Sequence, residues 1–222
     1  MIPRIYRADL LEMVTPVATD AARRLTSAAT VRGLIGSPAG DDSVLNSLID
    51  WASQAMVDYC SLARPATGER ATFAVETLRA TWYETCAPRA PQLVLPWRLP
   101  ITQIDSVVED GTTLVAGTDF KLIGARPGIL LRLDSDTPMG WSSAKLVITH
   151  RAGLTLPSAE LEQAAIKQVT YAYKARRRDP SMRSIDIPDT YAASFNVAGG
   201  DAMTQRLLPD VCRDLVDWKA WL

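Results

Sequence analysis

Apolar and polar residues follow two different periods along this chain, and the change of period divides it. From Asp41, the residues Val44, Leu45, Leu48, Ile49, Ala52, Ala55, Met56 and Tyr59 recur at spacings of three and four. That spacing predicts an amphipathic helix, opened by Asp41–Asp42 at the positive end of its dipole and ended before Pro65 and Gly68. A shorter helix is predicted ahead of it, capped by Thr26 or Ser27, running through Ile35 and closed by Gly36 and Pro38. A third starts at Pro157–Ser158, with Glu160 and Glu162 in its first turn. Its buried stripe is Leu161, Ala165, Val169, Ala172 and Tyr173, and Lys174, Arg176, Arg177 and Arg178 close its negative end.

Between Glu69 and Thr149 the helical period gives way to short β-prone runs at 71–75, 78–83, 93–95, 101–109, 120–123, 129–133 and 145–149. Turn signals separate them at 110–111, 116–117, 126–128 and 138–140, and Asp110–Gly111 between apolar runs predicts a hairpin. Pro96 and Pro100 cannot donate to a ladder, so they push their neighbours to an edge or a strand start. Residues 1–25 read as an extended arm with a turn, and 181–206 as an extended arm or ordered loop. Pro209 opens a last helix with Val211, Cys212, Leu215, Trp218 and Leu222 on one side. The predicted fold class is α+β: a small helical bundle interrupted by an inserted, mostly antiparallel β unit, with extended N-terminal and C-terminal arms. Residues 1–62 and 153–222 would form the discontinuous helical domain, and 63–152 the inserted β domain.

Composition changes this picture little. The 24 Lys and Arg against 25 Asp and Glu leave a net charge of -1, which carries no whole-chain footprint for nucleic acid or an anionic membrane. Cys60, Cys86 and Cys212 are far apart, with no C-x-x-C pair; they read as buried thiols in a reducing cytoplasm rather than a disulfide framework or zinc site. No run approaches the roughly 20 apolar residues of a membrane span, and Asp9 and Glu12 interrupt any signal-peptide core. The expectation is a soluble protein made in the cytoplasm.

Candidate chemistry is sparse. His150 is the single histidine and no nucleophile elbow accompanies it, so neither a Ser-His-Asp nor a Cys-His arrangement can be argued; it reads as a surface or half-buried structural residue. No phosphate-cradling glycine motif is present. Asp41, Asp42, Asp105, Glu109, Asp110, Asp134 and Asp136 are accounted for by caps, turns and loop tips. Asp134-x-Asp136 falls short of a calcium loop. The reading is therefore of no enzyme, no cofactor and no metal.

Two features fit binding. The cluster Lys174–Arg178 (KARRR) either complements a helix dipole or meets an acidic surface or nucleic-acid phosphates. Trp218 and Trp221 fall within the last five residues, where chain ends fray unless something buries them. They dock either on the chain's own core or on a partner.

Taken in order, these features resemble a known family. Residues 14–60 (VTPVATDAARRLTSAATVRGLIGSPAGDDSVLNSLIDWASQAMVDYC) look like the opening of the bacteriophage head–tail connector proteins, also called adaptor or head-completion proteins. The resemblance continues through 93–114 (LVLPWRLPITQIDSVVEDGTTL), TDF at 118–120, and 148–180 (ITHRAGLTLPSAELEQAAIKQVTYAYKARRRDP), where Ala-Gly and then Pro precede a helix. It departs at His150, where the family commonly has Tyr, and in 181–206.

The resemblance implies a non-enzymatic protein of the virion neck, assembled in the host cytoplasm. Copies would form a ring below the portal, matching its twelve-fold symmetry, and extend the channel through which packaged DNA passes without sequence-specific binding. Its partners would be the portal protein, further copies of itself and the next neck or tail-completion protein, with no membrane. Residues 207–222 become the portal-docking element, with Leu215, Trp218, Trp221 and Leu222 as anchors, and its deletion would leave a folded core. Lys174, Arg176, Arg177 and Arg178 become subunit or channel contacts. The alternative is a small nucleic-acid-binding module using the 174–178 cluster.

Overall fold

The computed structural model describes residues 8–17, 19–83, 90–96, 98, 100–124, 128–142, 145–176, 184–187, 191–194 and 207–219. In chain order its elements are β1 (Leu10–Thr15), α1 (Ala28–Ile35), α2 (Asp42–Tyr59), β2 (Glu76–Trp82), β3 (Gln92–Val94), β4 (Ile101–Glu109), β5 (Thr112–Thr113), β6 (Phe120–Gly124), β7 (Ile129–Asp134), β8 (Thr137–Pro138), β9 (Leu146–Ala152), α3 (Ala159–Ala175), β10 (Ser184–Ile187), β11 (Tyr191–Ser194) and α4 (Pro209–Asp214). The fold is α+β, with the antiparallel β unit inserted along the chain between helices. Two compact units account for the chain, one of residues 1–24, 57–158 and 218–222, the other of 25–56 and 159–217.

The first unit is built on an antiparallel sheet of order β1-β2-β9-β4-β5. Period-two alternation decides which face is buried. Leu78, Ala80 and Trp82 of β2 point inward, as do Leu146, Ile148 and Ala152 of β9. Register sets them in rows: Leu11, Ala80, Ile148 and Val107 share one, and Trp82 and Leu146 lie in the next. A smaller sheet, β3-β7-β6 with β8 on β7, adds Leu93, Phe120 and Leu130 to the same core. The Asp110–Gly111 turn has φ of 49° and 77°, the paired positive values of a hairpin turn matching strand twist. Ser135 and Asp136 repeat that geometry between β7 and β8, so Asp134-x-Asp136 serves a turn.

The second unit packs α1, α2 and α3 around Val31, Leu45, Ile49, Ala52, Ile166 and Val169. Ser27 caps α1 by accepting from the Thr30 amide at 3.1 Å, and Gly36 ends it in the left-handed region at φ 65°. Arg32 Nη1 reaches both oxygens of Asp42 at 2.6 and 2.7 Å. Asp41 accepts from the Tyr173 hydroxyl and, at 2.8 Å, from Arg176. The acidic start of α2 thus holds two other helices as well as its own dipole.

Four segments differ from the sequence pattern. Within 1–25, Leu10–Thr15 docks on β2 as an edge strand. Residues 71–75 form no strand: Ala74 makes a single bridge to Leu154, its amide accepted by Thr72 Oγ1 at 3.2 Å, and the Thr72 carbonyl is taken by Arg98. Side-chain bonds replace the ladder there. The stretch 181–206 contains a hairpin, β10 with β11, and the final helix stops at Asp214 before a short 3-10 turn, Val216–Trp218.

Candidate interaction surfaces

The C-terminal segment is fixed within each unit separately. In the second unit, the Leu208 amide donates to Gln168 Oε1 at 2.9 Å, and Lys167 pairs with Asp214 at 2.6 Å. Val211 and Leu215 are fully buried there. In the first unit, Trp218 is 5% exposed and meets Phe73 edge-on, ring centroids 5.8 Å apart. Lys219 lies over the Tyr59 ring at 4.8 Å. Trp221 and Leu222 lie outside the described residues. Leu215 and Trp218 are therefore buried, one belonging to each unit, and removing all of 207–222 would strip buried side chains.

The basic cluster is divided in the same way. Lys174 is exposed at the end of α3. Arg176 is paired with Asp41 and stacked over Tyr173, 4.3 Å from the ring centroid. Arg177 and Arg178 lie outside the described residues.

Three charged side chains are buried in the first unit: Glu76 and Arg98, which the sequence pattern left unmarked, and Glu109, expected at a cap, turn or loop tip. Glu76 and Arg98 are each 2% exposed, hydrogen-bonded to one another, with Arg98 also donating to the Thr72 carbonyl at 2.6 Å. Burial pushes the Glu76 carboxyl up, opposed by Arg98 and Arg23. Burial lowers Arg98, opposed by Glu76. Glu109 is also buried, accepting from Arg132 Nε at 2.9 Å and the Ser142 amide at 2.6 Å. It is not the loop-tip acid the sequence suggested, because its parity with Val107 turns it inward. An acid at the inward parity of a strand, as Glu76 is with Leu78 and Ala80, was the available signal.

His150 is fully buried, deeper than a surface or half-buried place, between Leu78 and Ile104 in the sheet register. Burial lowers its pKa to about 4; the Ile148 backbone and Asp105 oppose that shift and Arg98 adds to it. The unfolded chain takes up the proton near pH 6.5 and the folded chain only near 4. Stability is therefore lost as pH falls across that window, by about 3 kcal/mol at its lower end. The expected result is that urea midpoints of the wild type and His150→Phe diverge with pH. The wild type should lose stability relative to the variant from pH 6.5 to 4, while the rising Glu76 pKa acts on both alike. A pH-independent difference would refute the buried neutral imidazole.

Exposed apolar side chains occur on both units: Val115, Ile123 and Leu156 on the first, Leu34, Trp51 and Tyr171 on the second. No group of His, Cys, Asp and Glu among the described residues could hold a metal ion. No described helix is long and apolar enough to cross a membrane.

No protein-family model matches the chain, and no curated protein matches it. Solved structures do. The chain is similar to one in the neck of an empty gene transfer agent particle computed with C6 symmetry, with TM-score 0.57, 15% identity and 96% of each chain covered. It is similar to one in the neck of the native particle computed with C12 symmetry, with TM-score 0.51 and 17% identity over 81% of this chain and 88% of that one. A chain of the native gene transfer agent virion aligns with TM-score 0.51 and 18% identity over 80% and 89%. The fold is shared with chains of phage-like particles.

Proposed function

We propose that this chain is a structural adaptor in the neck of a tailed-phage or phage-like particle. Copies close into a ring below the portal, join head to tail and extend the DNA channel; the role is binding, with no catalytic step. The observation that carries this reading is the fold shared with a neck chain over 96% of both chains. The motifs at 14–60, 93–114 and 148–180 support it independently. The C6 and C12 symmetry of the similar necks suits a closed ring. Its partners are further copies, the portal protein and the next neck or tail-completion protein. DNA passes through without sequence-specific contacts. The pairing of Arg176 with Asp41 gives the nucleic-acid module no support.

In this reading the buried Leu215 and Trp218 are the footing of the portal-docking element, and Trp221 and Leu222 its tip. Light-scattering mass of the protein, alone and with its portal, tests the class. A ring alone, or a monomer that becomes a stoichiometric ring on the portal, supports it; a monomer indifferent to the portal overturns it. Ending the chain at Lys219 is expected to weaken portal attachment at least about tenfold (roughly 1.4 kcal/mol) with the melting temperature nearly unchanged. Trp218→Ala is expected to cost about 3 kcal/mol of stability instead. Unchanged portal affinity after the truncation would move docking elsewhere.

A further inference from the structure

The connection from α3 to α4 is far longer than its ends require. The chain leaves α3 after Ala175 and returns to it at Gln168, where the Leu208 amide is bound. Positions 168 and 176 lie about 12 Å apart along a helix, a gap that roughly six extended residues would span with slack. Residues 177–206 are inserted there instead, carrying β10 and β11. These strands pair with each other and, among the described elements, pack closely on no other. Two strands that pair only with each other among the described strands are marginal alone, and connections of this length are usually functional or linker segments.

The hairpin register alternates apolar pairs with pairs that carry at least one polar residue. Ile185 is opposite Ala193 and Ile187 opposite Tyr191, while Ser184 is opposite Ser194 and Asp186 opposite Ala192. That is the pattern of a sheet with one face covered. No third described strand pairs with either outer edge.

The same chain offers an edge for such a hairpin. β6 ends the order β3-β7-β6, and among the described residues its only β-pairing besides β7 is the isolated Ala116–Phe120 bridge. Beside that edge Ile123 is 50% exposed and Val115 60%. Lys121 is exposed on β6, opposite in sign to Asp186. A ring interface sets one surface of each copy against a different surface of the next, and a hairpin with open edges and an open edge strand make such a pair.

We propose that the β10–β11 hairpin is an intersubunit arm that adds to the β6 edge of a neighbouring copy of this chain. The proposal rests on the ring reading above, and two variants test it. In the first, residues 177–206 are replaced by an eight-residue Gly-Ser linker. This chain should melt with the wild type yet fail to form the ring on the portal at concentrations where the wild type does. In the second, a photocrosslinker replaces Asp186 in an equal mixture of ¹⁵N-labelled and unlabelled chains assembled on the portal. Mixed-isotope crosslinks to residues 115–124 are expected. A linker variant that still forms the ring, or crosslinks confined to one chain or to the portal, overturns the arm and leaves the adaptor reading intact. Absence of a wild-type ring overturns both.

Discussion

A Gly153→Ala chain is expected to lose roughly 4 kcal/mol of stability, among the largest effects of any single substitution here. Gly153 follows β9 with φ of +118°, a conformation side chains rarely adopt. A Cβ there would lie 2.2 Å from the Ala74 carbonyl oxygen and 2.8 Å from the Val75 amide nitrogen. Those are backbone atoms, so no rotamer change can relieve the clash. The neighbouring bonds make retreat costly: the Gly153 amide donates to the Pro100 carbonyl at 2.9 Å, and the Leu154 amide to the Phe73 carbonyl at 2.7 Å. Phe73 in turn carries Trp218. Gly33→Ala is the control. Nothing lies within 4 Å of a Cβ at that position inside α1, so it should be neutral or stabilise by up to about 1 kcal/mol. Urea unfolding followed by circular dichroism checks both. Equal midpoints for the two variants would show that the close approach at Ala74 does not constrain the fold.

The second large effect is expected at Arg98. Arg98→Met keeps the bulk of the side chain but leaves the Glu76 carboxylate buried without its partner and the Thr72 carbonyl without its donor. Breaking a buried pair from one side typically costs 3–5 kcal/mol, and the low end of about 3 kcal/mol is expected at pH 8. The sign of its pH dependence follows from Glu76. Without Arg98 the carboxyl, already raised by burial, loses its main attractive charge and rises further. The folded variant then takes up a proton before the unfolded chain does, so lowering the pH from 8 towards 5 should recover part of the loss. Adding Glu76→Gln should recover part of it at pH 8 as well. A loss constant across that range, or a double variant no better than the single, would mean the pair is not buried as described.

The two substitutions separate what was legible in the motif at 148–157 from what was not. Ala-Gly before a proline and a helix marks a strand-to-helix passage; the strand and α3 start within two residues of where the pattern put them, and the strand runs three residues further, to Ala152. That the glycine is irreplaceable comes from Ala74, distant in sequence, and no local pattern carries that contact. Arg98, between Pro96 and Pro100, carries no local sign of burial. Its burial comes from Glu76, an acid at an inward position in a strand whose predicted start fell two residues later.

Local chemistry determined the helices, the hairpin turns and the α–α–β–α order. Three-four spacing, the Ser27 cap, the left-handed Gly36 and the Asp110–Gly111 turn each act within a few residues. Sequence alone therefore sufficed for the class of fold and for the resemblance to neck connectors. Tertiary structure decided everything that depends on which residues meet across the chain. It sent Leu215 and Trp218 inward, paired Arg176 with Asp41, made Leu10–Thr15 an edge strand and enclosed His150 between Leu78 and Ile104. The physical reason is that caps and turns are satisfied by neighbours in sequence, whereas burial and charge pairing are satisfied by whichever distant groups the packed core brings within a few ångströms.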